Sequence, residues 1–260
     1  MEAAGRNMCS AKQFRPLIIK LGGSVITDKA SEGVINTKVL GELAEVLASV
    51  TGPLVIIHGA GSLGHPEAKR WGIADGVTAE NAEGVYETHE AVSRLNEAVV
   101  AALRSAGINA VPFPPFASAL TENRRIVYAG EEQIKELLSA GIVPVLYGDV
   151  AADKTQGACI LSGDQIAPYL AAALGAERIG FVTASGGVLQ DGTVVPEISR
   201  KTADSVAFFN ADGADVTGGM KGKIAELLLL AEFGIESQIF AAEDLAAFLS
   251  GENPGTRIKL

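Results

Sequence analysis

Three glycine-rich segments, each with a lysine nearby, hold the residues of this chain best suited to chemistry. They are Lys20-Leu21-Gly22-Gly23-Ser24, His58-Gly59-Ala60-Gly61-Ser62-Leu63-Gly64-His65 and Asp215-Val216-Thr217-Gly218-Gly219-Met220-Lys221-Gly222-Lys223. Glycine lets main-chain N–H groups come close to an anion, a helix N-terminus adds partial positive charge, and lysine adds a full one. One such segment suits one phosphate. Three in one chain suit a nucleoside triphosphate together with a second, acceptor group, which is the layout that phosphoryl transfer needs.

The elements that must position these loops follow from hydrophobic periodicity. Leu17-Ile18-Ile19-Lys20-Leu21 and Leu54-Val55-Ile56-Ile57 read as buried strands, with Val39, Leu40, Leu43, Val46 and Leu47 at helical spacing between them. Val85, Val92, Leu95, Val99 and Leu103 mark a long helix closed near Gly107. A proline-rich turn at Pro112, Pro114 and Pro115 precedes a helix with Ile134, Leu137 and Leu138 and the strand Ile142–Leu146. Pro144 argues for an edge position there, because proline donates no ladder hydrogen bond. The second half repeats the pattern: a helix with Ile166, Leu170 and Leu174 ending at Gly175, the strand Ile179–Thr183, a helix from about Met220 to Phe233 stopped by Gly234, and the strand Ser237–Phe240. Such alternation predicts an α/β fold, an open and mainly parallel sheet with helices on both faces and ligands at the carboxyl ends of its strands.

Composition narrows the class. The 260 residues, 48% hydrophobic and 20% charged, suffice for a large core in one two-lobed domain or two small ones. A net charge of −10 argues against a nucleic-acid or anionic-membrane surface, and no apolar run reaches the length of a membrane helix. Two cysteines, Cys9 and Cys159, give neither a disulfide framework nor metal-ligand spacing, so a cytoplasmic setting and no protein-held metal are expected. Residues 1–15 carry Arg6, Lys12 and Arg15 without the apolar stretch of a secretion signal and read as a disordered N-terminal extension, with Met8 an alternative start.

Competing readings attach to each motif. Gly59-x-Gly61-x-x-Gly64 formally matches a dinucleotide fingerprint, with Glu80 and Glu83 at the distance of a ribose contact, but those glutamates begin a helix and the other glycine loops stay unexplained. No Gly-x-x-x-x-Gly-Lys-Ser/Thr run exists, which excludes an ordinary P-loop. Lys20 and Lys223 are candidates to neutralise a transferred phosphoryl, against the ordinary fate of a solvated lysine; Lys221 is expected to face solvent. Asp164 and, less directly, Asp149 could hold lysines in register or simply cap helices. His58 reads as a hydrogen-bonded structural group and His89 as an exposed or partly buried helix residue. Trp71, Val77, Val85, Tyr86 and Val92 serve either as core or as an apolar wall for a substrate tail.

Taken in order, these segments resemble the amino acid kinase family over roughly residues 16–260. The resemblance rests on Ile19–Ser24 with Lys29 behind it, His58–His65, Tyr147-Gly148-Asp149, Ser162-Gly163-Asp164-Gln165, Asp215–Lys223 and the closing Gly255-Thr256-Arg257-Ile258. It implies an αβα sandwich with an acceptor lobe over 16–147, a nucleotide lobe over 148–260, and a homodimer. The implied activity is ATP- and Mg²⁺-dependent phosphorylation of a small phosphorylated alcohol, isopentenyl phosphate to isopentenyl diphosphate. A phosphonate kinase of the fosfomycin type, or a catalytically silent nucleotide- or anion-binding protein, are the alternatives. Lys20, Lys29, His65, Asp164 and Lys223 would be catalytic. Gly59, Ala60, His65 and Gly163 would hold the acceptor, with His65 on its phosphate. Lys20, Gly22, Gly23, Ser24, Gly61, Thr183, Gly218, Gly219 and Lys223 would hold the nucleotide. One segment departs from the family pattern. Members commonly carry Thr-Asp-Val-Asp-Gly-Val where this chain has Thr183-Ala184-Ser185-Gly186-Gly187-Val188, so nucleotide handling is expected to differ.

Overall fold

The computed structural model describes residues 15–28, 31, 33–203 and 219–260. The expected N-terminal extension, apart from Arg15, lies outside the described residues, as do Lys29 and Gly218. The strands are β1 (Leu17–Leu21), β2 (Leu54–His58), β3 (Ala110–Pro112), β4 (Leu120–Glu122), β5 (Arg125–Tyr128), β6 (Val143–Tyr147), β7 (Asp149–Asp153), β8 (Gly157–Leu161), β9 (Arg178–Val182), β10 (Leu189–Gln190), β11 (Thr193–Val194), β12 (Glu197–Ser199), β13 (Ser237–Phe240) and β14 (Thr256–Lys259). The α-helices are α1 (Gly23–Ile26), α2 (Thr37–Leu47), α3 (Gly61–Arg70), α4 (Glu83–Ser105), α5 (Pro115–Ser118), α6 (Glu131–Ser139), α7 (Gly163–Leu174), α8 (Gly219–Ala231) and α9 (Leu245–Leu249).

Among the described residues, eight strands form one sheet in the order β12-β14-β13-β9-β1-β2-β6-β3. From β13 to β3 all neighbours run parallel; β14 is antiparallel to β13, and β12 runs parallel to β14. This is the mainly parallel α/β sheet that the alternation of strands and helices predicts.

Both faces are buried, as continuous apolar strands demand. Alternation along β1 sends Ile18 into a core shared with α6, α7 and α8, and sends Ile19 and Leu21 into the opposite core shared with α2, α4 and α9. Lys20 follows Ile18 on the first face, one step nearer the carboxyl edge, so period-two geometry alone aims it at α7 and α8. The first connection from β1 leads to β2 on one side, while β9 pairs on its other side. The loops after β1 and β9 therefore flank the point where strand order reverses, the usual ligand crevice of an open α/β sheet.

Pro144 occupies an interior strand rather than the edge. Val143 N–H donates to Asn109 O at 2.9 Å and Val145 O accepts from Phe113 N–H at 2.9 Å, both toward β3. Alternation therefore turns Pro144 toward β2, one residue before the first β2–β6 partners, Ile56 and Val145, where a ladder donor is not needed.

A second, four-stranded sheet, β5-β4-β7-β8, has no counterpart in the sequence expectations. Its strands are short and half polar; Arg125–Tyr128 is largely exposed. The chain passes from the main sheet to this one through a single residue, Gly148, between Tyr147 and Asp149. It returns at Leu161, the register partner of Asp149, just before α7.

The α3–α4 contact that backs the second glycine loop is close. A methyl group on Gly64 would stand 2.3 Å from Val92 Cγ1 and 2.8 Å from Ala60 Cβ. Gly64→Ala is therefore expected to lower stability by about 1–3 kcal/mol through overpacking. Thermal or urea unfolding checks this, and an unchanged midpoint would contradict the packing described.

Candidate active site

The site assembles at the carboxyl edge of β1. Lys20 and Lys223 are 6% and 7% exposed, and both reach one oxygen of the Asp164 carboxylate: Lys20 Nζ lies 2.9 Å and Lys223 Nζ 2.6 Å from Asp164 Oδ1. Lys223 Nζ also lies 5.3 Å from the centre of the Phe181 ring, in cation–π range. Burial alone would push the Asp164 carboxyl up, but the two ammonium groups outweigh it and hold the carboxyl well below the usual carboxylate range. Two cations thus meet one anion close to the first turns of α7 and α8. That is an electrostatic socket for a polyanion.

Asp164 does not cap its helix. Ser162 is the N-cap of α7, its hydroxyl accepting from Asp164 N–H at 3.1 Å, so the carboxylate is free to face the lysines. The pattern Ser162-x-x-Gln165 carried this signal as a capping-box spacing.

The glycine loops converge on the same point. Gly22 N–H donates to Val182 O at 2.8 Å, which fixes the turn after β1 against the end of β9. A methyl group on Gly23 would fall 2.5 Å from Gly61 N, so the first two loops touch main chain to main chain. One on Gly59 would stand 3.8 Å from Lys20 Nζ, and one on Gly163 3.0 Å from His58 O. Thr27 binds the pair of loops. Its hydroxyl donates to Gly23 O at 2.8 Å and accepts from Ser62 N–H at 3.0 Å. Nothing in the spacing of the first loop singled out this threonine.

Gly22, Gly23, Gly59, Ala60, Gly61, Gly163, Asp164, Lys20 and Lys223 are thus brought together. Ser24 is exposed on α1, Thr183 is buried at the end of β9, and Gly219 opens α8. His65 is partly buried, four residues into α3 from Gly61, and Lys221 faces solvent as expected. Glu83 starts α4 and does not end a second strand, which removes the ribose contact of the dinucleotide reading.

The segment that lacks the acidic pair keeps its turn by other means. Ser185 Oγ donates to Gly187 O at 2.7 Å, while the Thr256 hydroxyl accepts from Val188 N–H at 2.8 Å and donates to Val195 O at 2.6 Å. Gly255 lies at φ +70°, and a methyl group there would meet Ile239 O at 2.1 Å. The closing Gly255-Thr256 pair therefore locks this turn from the far strand.

Two histidines sit beneath the second loop. His58 is fully buried; its Nδ1 lies 2.9 Å from Gly59 O and its Nε2 3.2 Å from Asn96 on α4, while the ring stacks on Tyr147 at 5.3 Å. A carbonyl can only accept, so Nδ1 carries the proton of the neutral ring. His89 pairs with Asp149, Nδ1 lying 3.0 Å from each carboxylate oxygen. Asp149 therefore touches neither lysine, in contrast to the role its position suggested. Trp71, Val77 and Val85 gather with Ile73, Val150, Ala158 and Ile160 in a small separate apolar cluster, whereas Tyr86 is 62% exposed and takes no part in it.

Burial, with Lys20 nearby, lowers the His58 pKa from 6.5 to about 4 despite its hydrogen bonds to Gly59 and Asn96. A histidine depressed on folding stabilises the fold above its unfolded pKa, and that stability is lost as pH falls from about 6.5 toward 4, on the order of 3 kcal/mol in all. A histidine NMR titration should show this ring still neutral at pH 5; a midpoint near 6.5 would refute the buried neutral state.

The comparisons with known proteins agree with this geometry. The profile of the amino acid kinase family matches residues 15–241. An isopentenyl phosphate kinase of Haloferax volcanii is 38% identical over 94% of this chain and 98% of its own length. One of Methanothermobacter thermautotrophicus is also 38% identical, over 93% and 98%. A solved isopentenyl phosphate kinase structure superposes with a TM-score of 0.81 at 35% identity, covering 94% of this chain and all of that one. A carbamate kinase of Giardia lamblia, 16% identical with a TM-score of 0.70, shares the fold. Sequence profile, relatives over nearly full length and the sheet with its lysine-bearing glycine loops lead to one conclusion: this chain belongs to the amino acid kinase family.

Proposed function

We propose that this protein transfers the γ-phosphoryl group of ATP to isopentenyl phosphate, giving isopentenyl diphosphate and ADP. The observation that carries the kinase reading is the buried Lys20–Asp164–Lys223 bridge facing the converged glycine loops. The acceptor is supported by the relatives at 32–38% identity that bear the name isopentenyl phosphate kinase. Neither the phosphonate kinase nor the silent binding protein is favoured by them.

In this reading a bond forms between an oxygen of the acceptor phosphate and Pγ, and the bond from Pγ to the β–γ bridging oxygen breaks. Negative charge grows on the bridging oxygen and is spread over the equatorial ones. Lys20 approaches from the sheet and Lys223 from α8, so the transferred group would be met by ammonium groups from two sides. Asp164 keeps both in place before substrate arrives, and no solvent reorganisation is then needed. The acceptor phosphate is already an anion, so no general base is required. His65, with Gly59, Ala60 and Gly163, would hold the acceptor phosphate by hydrogen bonds. Gly22, Gly23, Ser24, Gly61, Thr183, Gly218 and Gly219 would line the nucleotide side, and Lys29 would reach the transferred group.

Mg²⁺ would enter bound to the ATP phosphates and neutralise part of their charge. Among the described residues no cluster of three or more His, Cys, Asp or Glu side chains is placed to hold a metal ion. A homodimer in the cytoplasm, with residues 16–147 serving the acceptor and 148–260 the nucleotide, completes the proposal; the dimer and the lobes rest on the family resemblance, and the compartment on the absence of a disulfide framework in the sequence. No helix among the described residues is long and apolar enough to cross a membrane.

The test is Mg²⁺- and ATP-dependent ADP release with isopentenyl phosphate, dimethylallyl phosphate, geranyl phosphate, fosfomycin, UMP, glutamate and acetylglutamate. Turnover is expected on the isoprenoid monophosphates; selective turnover on another acceptor would replace the assignment. Lys20→Ala or Lys223→Ala should lower kcat by roughly 10² or more, as for loss of one transition-state donor. A folded variant with a near-normal rate would remove that lysine from the mechanism. His65→Ala should raise the KM of the acceptor far more than that of ATP, and equal effects on both would place His65 elsewhere.

A further inference from the structure

Outside the lysine bridge, a cluster of titratable side chains surrounds Asp149. Its side chain is fully buried and accepts from His89 Nδ1 at 3.0 Å, from Val150 N–H at 2.8 Å and from Phe116 N–H at 3.2 Å. His89, on α4, also packs its ring at a tilt against the Phe116 ring of α5 at 4.6 Å, and its Nε2 lies 3.4 Å from Ser93 Oγ, which in turn lies 3.2 Å from the Tyr147 hydroxyl. One carboxylate thus joins α4, α5 and the start of β7.

The position of that carboxylate in the chain gives the cluster its meaning. Asp149 is the first residue of β7, and its register partner is Leu161, the last residue of β8. Ser162, Gly163 and Asp164 follow directly. Gly148, on the other side, donates its N–H to His58 O at 2.9 Å, and a methyl group on it would stand 3.4 Å from Gly163 N and 3.5 Å from Ala60 N. The base of the β7–β8 hairpin therefore touches the acceptor loop and carries the carboxylate that organises both lysines.

We propose that the His89–Asp149 ion pair is a positioning device for phosphoryl transfer, which holds the base of the β7–β8 hairpin against α4 and so fixes Asp164 and the Gly59–Ala60 loop. The kinetic part rests on the kinase reading above; the structural part does not. Asp149 raises the proton affinity of His89, against a smaller opposing effect of burial, while burial raises that of Asp149 against its hydrogen bonds. A histidine raised in the folded state holds the clamp below its unfolded pKa and releases it as pH rises through the folded value. Among the described residues, the Tyr147 phenol near the pair is pushed up to about 12 mainly by burial, and the charge of Glu97 acts on that phenol. Phe116 brings no charge, and α3 meets α4 here through Gly64 against Val92 and Trp71 against Gly84.

His89→Asn keeps an N–H donor near Asp149 and removes the charge. In wild type, ¹⁵N amide signals of Gly148, Ser162, Gly163 and Asp164 should shift with the midpoint of the His89 ring, and in H89N that shared transition should vanish. Those signals unmoved in wild type while His89 titrates would overturn the proposal, whatever the protein phosphorylates. With isopentenyl phosphate and ATP saturating, wild-type kcat should fall across the same midpoint, H89N should lack that limb, and Asp149→Asn should lower kcat about tenfold with ATP KM little changed. Superimposable pH–kcat profiles for wild type and H89N would also overturn it, because a merely structural contact would change melting temperature and not the profile. Absence of turnover by wild type on isopentenyl phosphate counts against the substrate reading alone and leaves the NMR test standing.

Discussion

Two buried ammonium groups sharing one carboxylate oxygen set the terms for the rest of this molecule. Lys20, Lys223 and Asp164 cannot be stable where they are unless each has the others, because removing one partner of a buried pair costs about 3–5 kcal/mol. The geometry around them is correspondingly fixed: β1 delivers Lys20 by simple alternation, Ser162 caps α7 so that Asp164 is released toward it, and Lys223 rises from the fifth position of α8. Two ammonium groups already held at one point can meet a phosphate chain without rearranging when it arrives.

The glycine loops are shaped by this requirement as much as by their ligands. Main-chain groups of Gly23, Gly59 and Gly61 pack against one another, Gly22 packs against Val182 and Gly163 against His58, at distances that leave little room for a side chain. Gly22 N–H and Gly59 N–H are held by Val182 O and Leu21 O, which ties these loops to the strand ends, while Thr27 fastens two of the loops from behind. The departure at Ala184 and Gly186 fits the same logic. The turn after β9 is held by Ser185 and by Thr256 from β14, so it survives the loss of two acids.

Much of this was legible in the sequence, for reasons that can be stated. Continuous apolar runs such as Leu54–Ile57 mark strands buried on both faces, and Lys20 is conspicuous because it interrupts one. Gly107, Gly175 and Gly234, all at positive φ, end or closely follow helices where chain pattern alone placed them. The small sheet was not legible, since three- and four-residue strands such as Leu120–Glu122 and Arg125–Tyr128 have too little periodicity to register. Nor was the His89–Asp149 pair, whose members are 60 positions apart and meet only because α4 crosses the base of β7. Pro144 misled for a definite reason: a missing donor matters only where a neighbour is ready to accept, and β2 begins its pairing one residue later.

The main sheet runs without a break from β3, in the first half of the chain, to β12, in the second. The β9–β1–β2 ladder at its centre joins the two halves by five consecutive residue pairs on each side of β1. Such a seam resists bending, because a hinge through it would have to tear inter-strand hydrogen bonds whose partners are out of reach of water. Opening and closing around two substrates must therefore be the business of the periphery, the hairpins and loops above the strand ends, while the central slab behaves as a stiff anvil. In a protein built this way, turnover would be paced by how quickly the covering segments part, and loops could diversify in evolution without loosening the charges beneath them.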